Sequence, residues 1–153
     1  SNYGVNIDPS TYDISGNAYI GEASPADAGS VGWLSFDDID LTGCPVAGTC
    51  SSWVDTTVDP YELRGWGKVI SMFEEDPLDV NGWVSLNCKD AGAGACGDSD
   101  YKVTMSPSSG KFSGWAWGDE VIGWIDFAPA SAGANSVAYN SSGSTGTIET
   151  DCN

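Results

Sequence analysis

Histidine is absent from this chain, basic residues are scarce and no apolar run is long; each lack removes a class of function. Without imidazole there is no Ser-His-Asp or Cys-His catalysis, no His-ligated metal and no histidine acid–base work. Five Lys and Arg stand against 22 Asp and Glu, a formal net charge of −17. Such a chain repels DNA, RNA and anionic lipid, whose binding needs clustered Lys or Arg, so nucleic acid is not an expected partner. No stretch reaches the roughly 18 apolar residues of a membrane helix, and no membrane insertion is expected. The opening Ser1-Asn2-Tyr3-Gly4-Val5 has neither an initiating Met nor a charged-then-apolar leader, and reads as a mature or excised product.

What is present points to a packed core. The 153 residues suit one domain, 1–153, and 41% of them are apolar, with seven Trp, six Tyr and four Phe. A domain of that size buries about 68–70% of its unfolded surface.

Cys44 and Cys50 bracket a short Pro/Gly loop, and Cys88 and Cys96 bracket a Gly/Ala loop. Zinc sites want tighter pairs, usually Cys-x2–4-Cys, and redox motifs want Cys-x-x-Cys. Two local disulfides are the better reading, which implies an oxidising, exported setting. Cys152 is left over, a candidate for pairing between chains, for pairing with a segment outside this sequence, or for a free thiol.

Internal repetition is the strongest signal. Tyr3, Trp53 and Tyr101 each open an alternating run, block A. Gly16, Gly65 and Gly114 centre block B, in Ile14-Ser-Gly-Asn-Ala-Tyr19, Leu63-Arg-Gly-Trp-Gly67 and Phe112-Ser-Gly-Trp-Ala-Trp117. Block C is Gly32-Trp-Leu-Ser-Phe36, Gly82-Trp-Val-Ser-Leu86 and Gly123-Trp-Ile-Asp-Phe127. All are short, rich in aromatic and β-branched residues, and bounded by turn formers, so they read as strands. The stretch Val69-Ile-Ser-Met-Phe73 fits a strand extension or a helical turn. The expected fold is all-β, with three internal repeats of a three-stranded antiparallel meander arranged as a sandwich, prism or barrel. The repeats cover about 3–50, 53–100 and 101–135, and a partial fourth follows at 136–153. An unfinished repeat leaves a sheet edge that must be closed, capped or paired.

Residues Ser113-Gly-Trp-Ala-Trp117 and Ile122-Gly-Trp-Ile-Asp-Phe127 resemble the SGWAWSENIGWISF repeat of predicted exported proteins from candidate phyla radiation bacteria. The A-B-C order with Cys after block C is similar over roughly residues 3–127; Asn17-Ala-Tyr19 and Trp66-Gly67 depart from Trp-Ala-Trp. The resemblance implies export and surface or envelope residence. It supplies no activity and no catalytic residue.

Alternation puts Leu34 and Phe36, Val84 and Leu86, and Ile125 and Phe127 on an inward face. Trp33, Trp83, Trp115, Trp117 and Trp124 then share the other face, as packing residues or as a ligand or partner face. Asp98 and Asp100, with Glu74, Glu75, Asp76 and Asp79, are the candidates for calcium, but no complete Asp-x-Asp-x-Asp-Gly loop exists. The expectation is therefore no cofactor, with calcium as the alternative and most of the acids solvating loops. Nothing selects a carboxylate pair for glycoside hydrolysis, and no enzyme is expected.

The resulting expectation is a non-enzymatic extracellular or cell-surface structural protein. It is a self-associating subunit or module of a larger assembly, such as a filament or surface layer, joined by β-strand edge pairing through Tyr3, Val5 and Ile7. The alternative is a carbohydrate-binding or adhesion module whose tryptophan-rich face takes a glycan or surface partner.

Overall fold

The computed structural model describes residues 4–21, 30–75, 82–120, 122–128, 138–140 and 146–149. Within them the fold is all-β. Twelve antiparallel strands are joined into one sheet. They are β1 (Gly4–Ile7), β2 (Ile14–Gly21), β3 (Ser30–Ser35), β4 (Trp53–Asp55), β5 (Tyr61–Arg64) and β6 (Trp66–Val69). Then follow β7 (Trp83–Ser85), β8 (Val103–Met105), β9 (Phe112–Gly118), β10 (Trp124–Asp126), β11 (Ala138–Asn140) and β12 (Gly146–Glu149). Two short α-helices, α1 (Ile70–Glu75) and α2 (Ala95–Asp98), and a 3-10 turn at Cys88–Asp90 interrupt them, so the ambiguous stretch after Val69 is helical. Among the described residues no helix is long and apolar enough to cross a membrane.

The strand order is β11-β12-β1-β2-β3-β6-β7-β9-β8-β5-β4, with β10 on β9. The far end curls back. Asp13, just ahead of β2, bridges Trp53 of β4, Ile14 N–H donates to Ser52 O at 2.8 Å, and Val54 N–H donates to Tyr12 O at 2.9 Å.

One structural step recurs at the three B-block glycines. Gly16, Gly65 and Gly114 have φ of +89°, +84° and +90°, and at each a Cβ would strike a carbonyl oxygen, that of Gly4, Ser51 and Lys102 respectively. A left-handed glycine re-aims the strand, as in a bulge. Around Gly16 and Gly114 the first half pairs with an A strand and the second half with a C strand. The glycine carbonyls take the same bond each time: Phe36 N–H to Gly16 at 2.9 Å, Leu86 N–H to Gly65 at 3.1 Å, and Phe127 N–H to Gly114 at 3.0 Å.

The register corrects one marker. Ile7 lies opposite Ile14 and Met105 opposite Phe112, seven residues apart, whereas Val54 lies opposite Leu63, nine apart. Trp53 therefore matches Asn6 and Thr104, not Tyr3 and Tyr101. The turn after β4 holds two extra residues.

The inward face is as expected. Val5, Ile7, Ile14, Leu34, Phe36, Val54, Leu63, Val69, Val84, Leu86, Val103, Met105, Phe112 and Ala116 form one buried cluster. Burying each large side chain there contributes roughly 1.5–3 kcal/mol. Ile125 and Phe127 pack against this cluster but stay half-buried.

Candidate functional site

Both expected disulfides are present, Cys44–Cys50 and Cys88–Cys96. They fit an oxidising setting outside the cytoplasm. The first closes the loop over a second small core of Leu41, Trp66 and Trp83, against which Cys44, Val46 and Cys50 pack. Of the two readings offered for Trp83, packing holds and a ligand or partner face does not: it is 4% exposed, because a loop from earlier in the chain covers it. Trp66, which alternation alone does not single out, meets it edge-on at a centroid distance of 6.2 Å. Lys68, opposite Trp83 in the sheet, sets its Nζ 4.2 Å from that ring centroid, a cation–π contact. Burial lowers the pKa of its ammonium.

Replacing Cys44 and Cys50 by Ser is expected to cost about 2 kcal/mol from the loop-closure term. It should also raise iodide quenching of Trp66 and Trp83, read in a background where the exposed indoles are Phe. Unchanged quenching would mean that the loop does not need its disulfide to stay in place.

Of the remaining tryptophans of that face, Trp33, Trp115 and Trp124 are exposed and Trp117 is half-buried. Trp33 (38% exposed) packs edge-on against Tyr19 at 5.2 Å, and Trp124 (47%) touches Trp117 at 4.6 Å and Tyr101 at 5.3 Å. Trp115, also 47% exposed, joins Trp124, Tyr101, Ser99 and Asp100 around a shallow cleft of about 360 Å³. The structure brings Trp115, Trp117 and Trp124 together and sets Trp33 and Trp83 apart from them.

Of the acidic calcium candidates, only Asp98 and Asp100 have side chains among the described residues. Asp98 ends α2 exposed, and Asp100 is exposed and ion-paired to Lys102 at 3.0 Å. Asp100 does approach Cys88 and Cys96, but those sulfurs are bonded to each other and are not thiolate ligands. Glu74 and Glu75 close α1, while Asp76 and Asp79 lie outside the described residues.

Several loop acids do more than solvate. Asp37 accepts the Gly16 N–H at 2.7 Å, and Asp119 accepts the Gly82 N–H at 2.5 Å and the Ile122 N–H at 3.0 Å. Asp90 takes two bonds from Arg64, at 2.8 and 2.7 Å, and the Gly65 N–H at 3.0 Å. These carboxylates hold strand amides beside the glycines that bend or end strands. Sequence offers only a faint signal for them, an Asp shortly after a C block or in a link.

Glu62 carries the clearest pH dependence. Burial disfavours its charged form, but hydrogen bonds from Lys89 Nζ at 2.7 Å and Asn87 Nδ2 at 3.1 Å outweigh this and lower its pKa. A carboxyl lowered in the folded state adds stability above its unfolded pKa, and loses it as pH falls through the folded one. The stability gap between wild type and Glu62→Gln should therefore be present at pH 7 and vanish below the ordinary glutamate value of about 4.3. Denaturant melts across that range test it, and a gap independent of pH would contradict it.

The strand offered for pairing between chains is already occupied. β1 is bonded on one edge to β2 and on the other to β12, with Val5 and Ile7 at 4% and 1% exposure. In the lone chain this strand has no vacant edge among the described residues. Tyr3 and Cys152 lie outside the described residues.

Vacant edges exist elsewhere, those of β2 and β10 among them. The second half of β2 pairs with β3 on one side and β10 pairs with β9 on one side; among the described residues neither has a strand on its other side. Set beside protein-family models, curated proteins and solved structures, the chain matches none of them.

Proposed function

We propose that this chain is an exported, non-enzymatic structural module that builds a larger surface assembly, such as a filament or surface layer, by β-strand edge pairing. The observation that carries this reading is the uneven burial of one core. At matching positions of the three C blocks, Leu34 and Val84 are 2% and 0% exposed, and Phe36 and Leu86 are 4% and 0%. Ile125, on the vacant-edged β10, and Phe127, just after it, are only half-buried. Beside the vacant edge of β2, Ile20 and Val31 are half-buried too. A sheet with vacant strand edges beside half-covered core residues is a template for another strand. The resemblance to exported Gly-Trp repeat proteins and the two disulfides support residence outside the cell. The net charge of −17 keeps free copies apart until salt or a cation screens it.

Light scattering after size exclusion, at rising salt and protein concentration, tests this reading. Species that grow beyond the 15.9 kDa monomer as salt is added are expected. A monomer at every salt, calcium and protein concentration would overturn it.

A carbohydrate-binding or adhesion module is the second reading, favoured by the open cleft between Trp115, Trp124 and Tyr101, where a sugar ring has aromatic faces and the Asp100 carboxylate to meet. Glycan-array binding lost in Trp115→Ala would favour it over the first.

A further inference from the structure

The inference rests on the assembly reading above, and concerns which edge meets which. Two pairings join successive hairpin units. In the first, a C strand meets the following B strand: Leu34 lies opposite Val69 in β3·β6, and Val84 lies opposite Gly118 in β7·β9. Leu34 and Val84 each come two residues after the block C glycine, and Val69 and Gly118 each come four after the block B glycine, so both pairs share one register.

In the second pairing, an A strand meets the preceding B strand. Val54 N–H bonds Tyr12 O, and Met105 lies opposite Tyr61. Tyr12 and Tyr61 each precede by two the residue opposite the A strand's partner position in their own hairpin, Ile14 and Leu63. The contact of β12 with β1 follows the same rule. Tyr139 of β11 lies opposite Ile148, as Ile7 lies opposite Ile14, and Gly146, two before Ile148, lies opposite Ile7. The C-terminal hairpin thus sits on β1 in the register of a preceding unit.

That seat belongs, by the same rule, to whatever unit comes before the first. The second half of β2 is a B strand with no C strand before it, and β10 is a C strand with no B strand after it, among the described residues. We propose that a second copy of this chain docks head to tail. β10 of one chain pairs antiparallel with β2 of the next, placing Ile125 opposite Ile20 and Asp126 opposite Tyr19. At the same time β9 takes the place on β1 that β12 holds in the lone chain. The occupant follows from continuity: the docked edge repeats, residue for residue, the two internal contacts of β3·β6 and β7·β9, and it covers Ile20, Val31, Ile125 and Phe127. A head-to-tail contact of this kind is heterologous, and it extends into a filament where the rotation between copies does not close a ring. β12 acts as an internal cap, and docking requires its release. A cap closed in nine molecules of ten raises the concentration needed for assembly about tenfold.

Ile148→Pro in the full chain tests the cap. Ile148 stands where Ile14 stands, and the Ile14 N–H donates to Ser52 O; proline removes that donor. The variant is expected to assemble at about tenfold lower concentration than wild type. Adding Ile125→Lys should return it to monomer. A second variant does the reverse: Asn6→Cys with Thr147→Cys, in a Cys152→Ser background, bonds β12 to β1 across a facing pair and should stay monomeric where wild type assembles. Light scattering reads all of these, and iodide protection of Trp66 and Trp83 reports that the core is intact. Assembly of the locked variant, or of the Ile125→Lys variant, overturns the inference while leaving the assembly reading standing. So does an Ile148→Pro protein that assembles no more readily than wild type. If neither wild type nor any variant assembles at any salt, both readings fall.

Discussion

Gly65→Val is expected to destabilise the protein by about 4 kcal/mol, a loss that takes most of a small domain's stability. Gly65 has a φ of +84°, and a Cβ there would overlap the Ser51 carbonyl oxygen and press the Ser52 Cα at 3.0 Å. Those are backbone atoms, which cannot rotate away as a flexible side chain would. The Gly65 N–H is bonded to Asp90 and its carbonyl takes the Leu86 N–H, so the residue is held on both sides as well as crowded. Thermal melts check this. A fall of Tm no greater than that of an exposed substitution, such as Lys111→Ala, would show that β5 and β6 relax without the tight turn.

Leu86→Ala should cost about 3 kcal/mol, and Phe127→Ala about half as much, although Phe127 is the larger residue. The two positions correspond, since Leu86 bonds the Gly65 carbonyl and Phe127 bonds the Gly114 carbonyl. Their surroundings differ. Leu86 is 0% exposed in the middle of the sheet, and Phe127 is half-buried on the side where β10 has no further partner. Truncation is costly where packed atoms surround the side chain on every side and a void is left behind. Around Phe127 in the lone chain, water already meets part of the ring and can fill the space that truncation opens. Denaturant melts at low salt and low protein concentration give the ratio. Equal or reversed costs would mean that the Phe127 end of the core is not open.

Much of this fold is legible in the sequence because it is written locally. A strand of alternating residues shows its inward face without reference to any other strand, which is why Leu34, Phe36, Val84 and Leu86 could be assigned to the core. The three Gly-Trp blocks and the two short cysteine loops are local as well. What could not be read depends on segments that meet only after folding. Trp83 has the same neighbours in sequence as Trp33 and Trp124, and differs only in lying beneath the Cys44–Cys50 loop. The displaced register of Trp53 comes from two extra turn residues, which a marker-to-marker count absorbs without notice. Asp37 and Asp90 look like solvated loop acids until the chain returns them to the amides of Gly16 and Gly65. The vacant edges of β2 and β10, and the seat of β12 on β1, follow from topology and could not be seen from any block alone.

The most direct test of the central claim is amide hydrogen exchange on the full chain, compared between dilute low-salt solution and concentrated high-salt solution. Edge-pairing assembly predicts that protection rises at two places, residues 18–21 on β2 and residues 124–126 on β10, while the amides of β6 and β7 stay as protected as before. Exchange unchanged at both edges under every condition, or protection gained only around the Trp115 cleft, would contradict it.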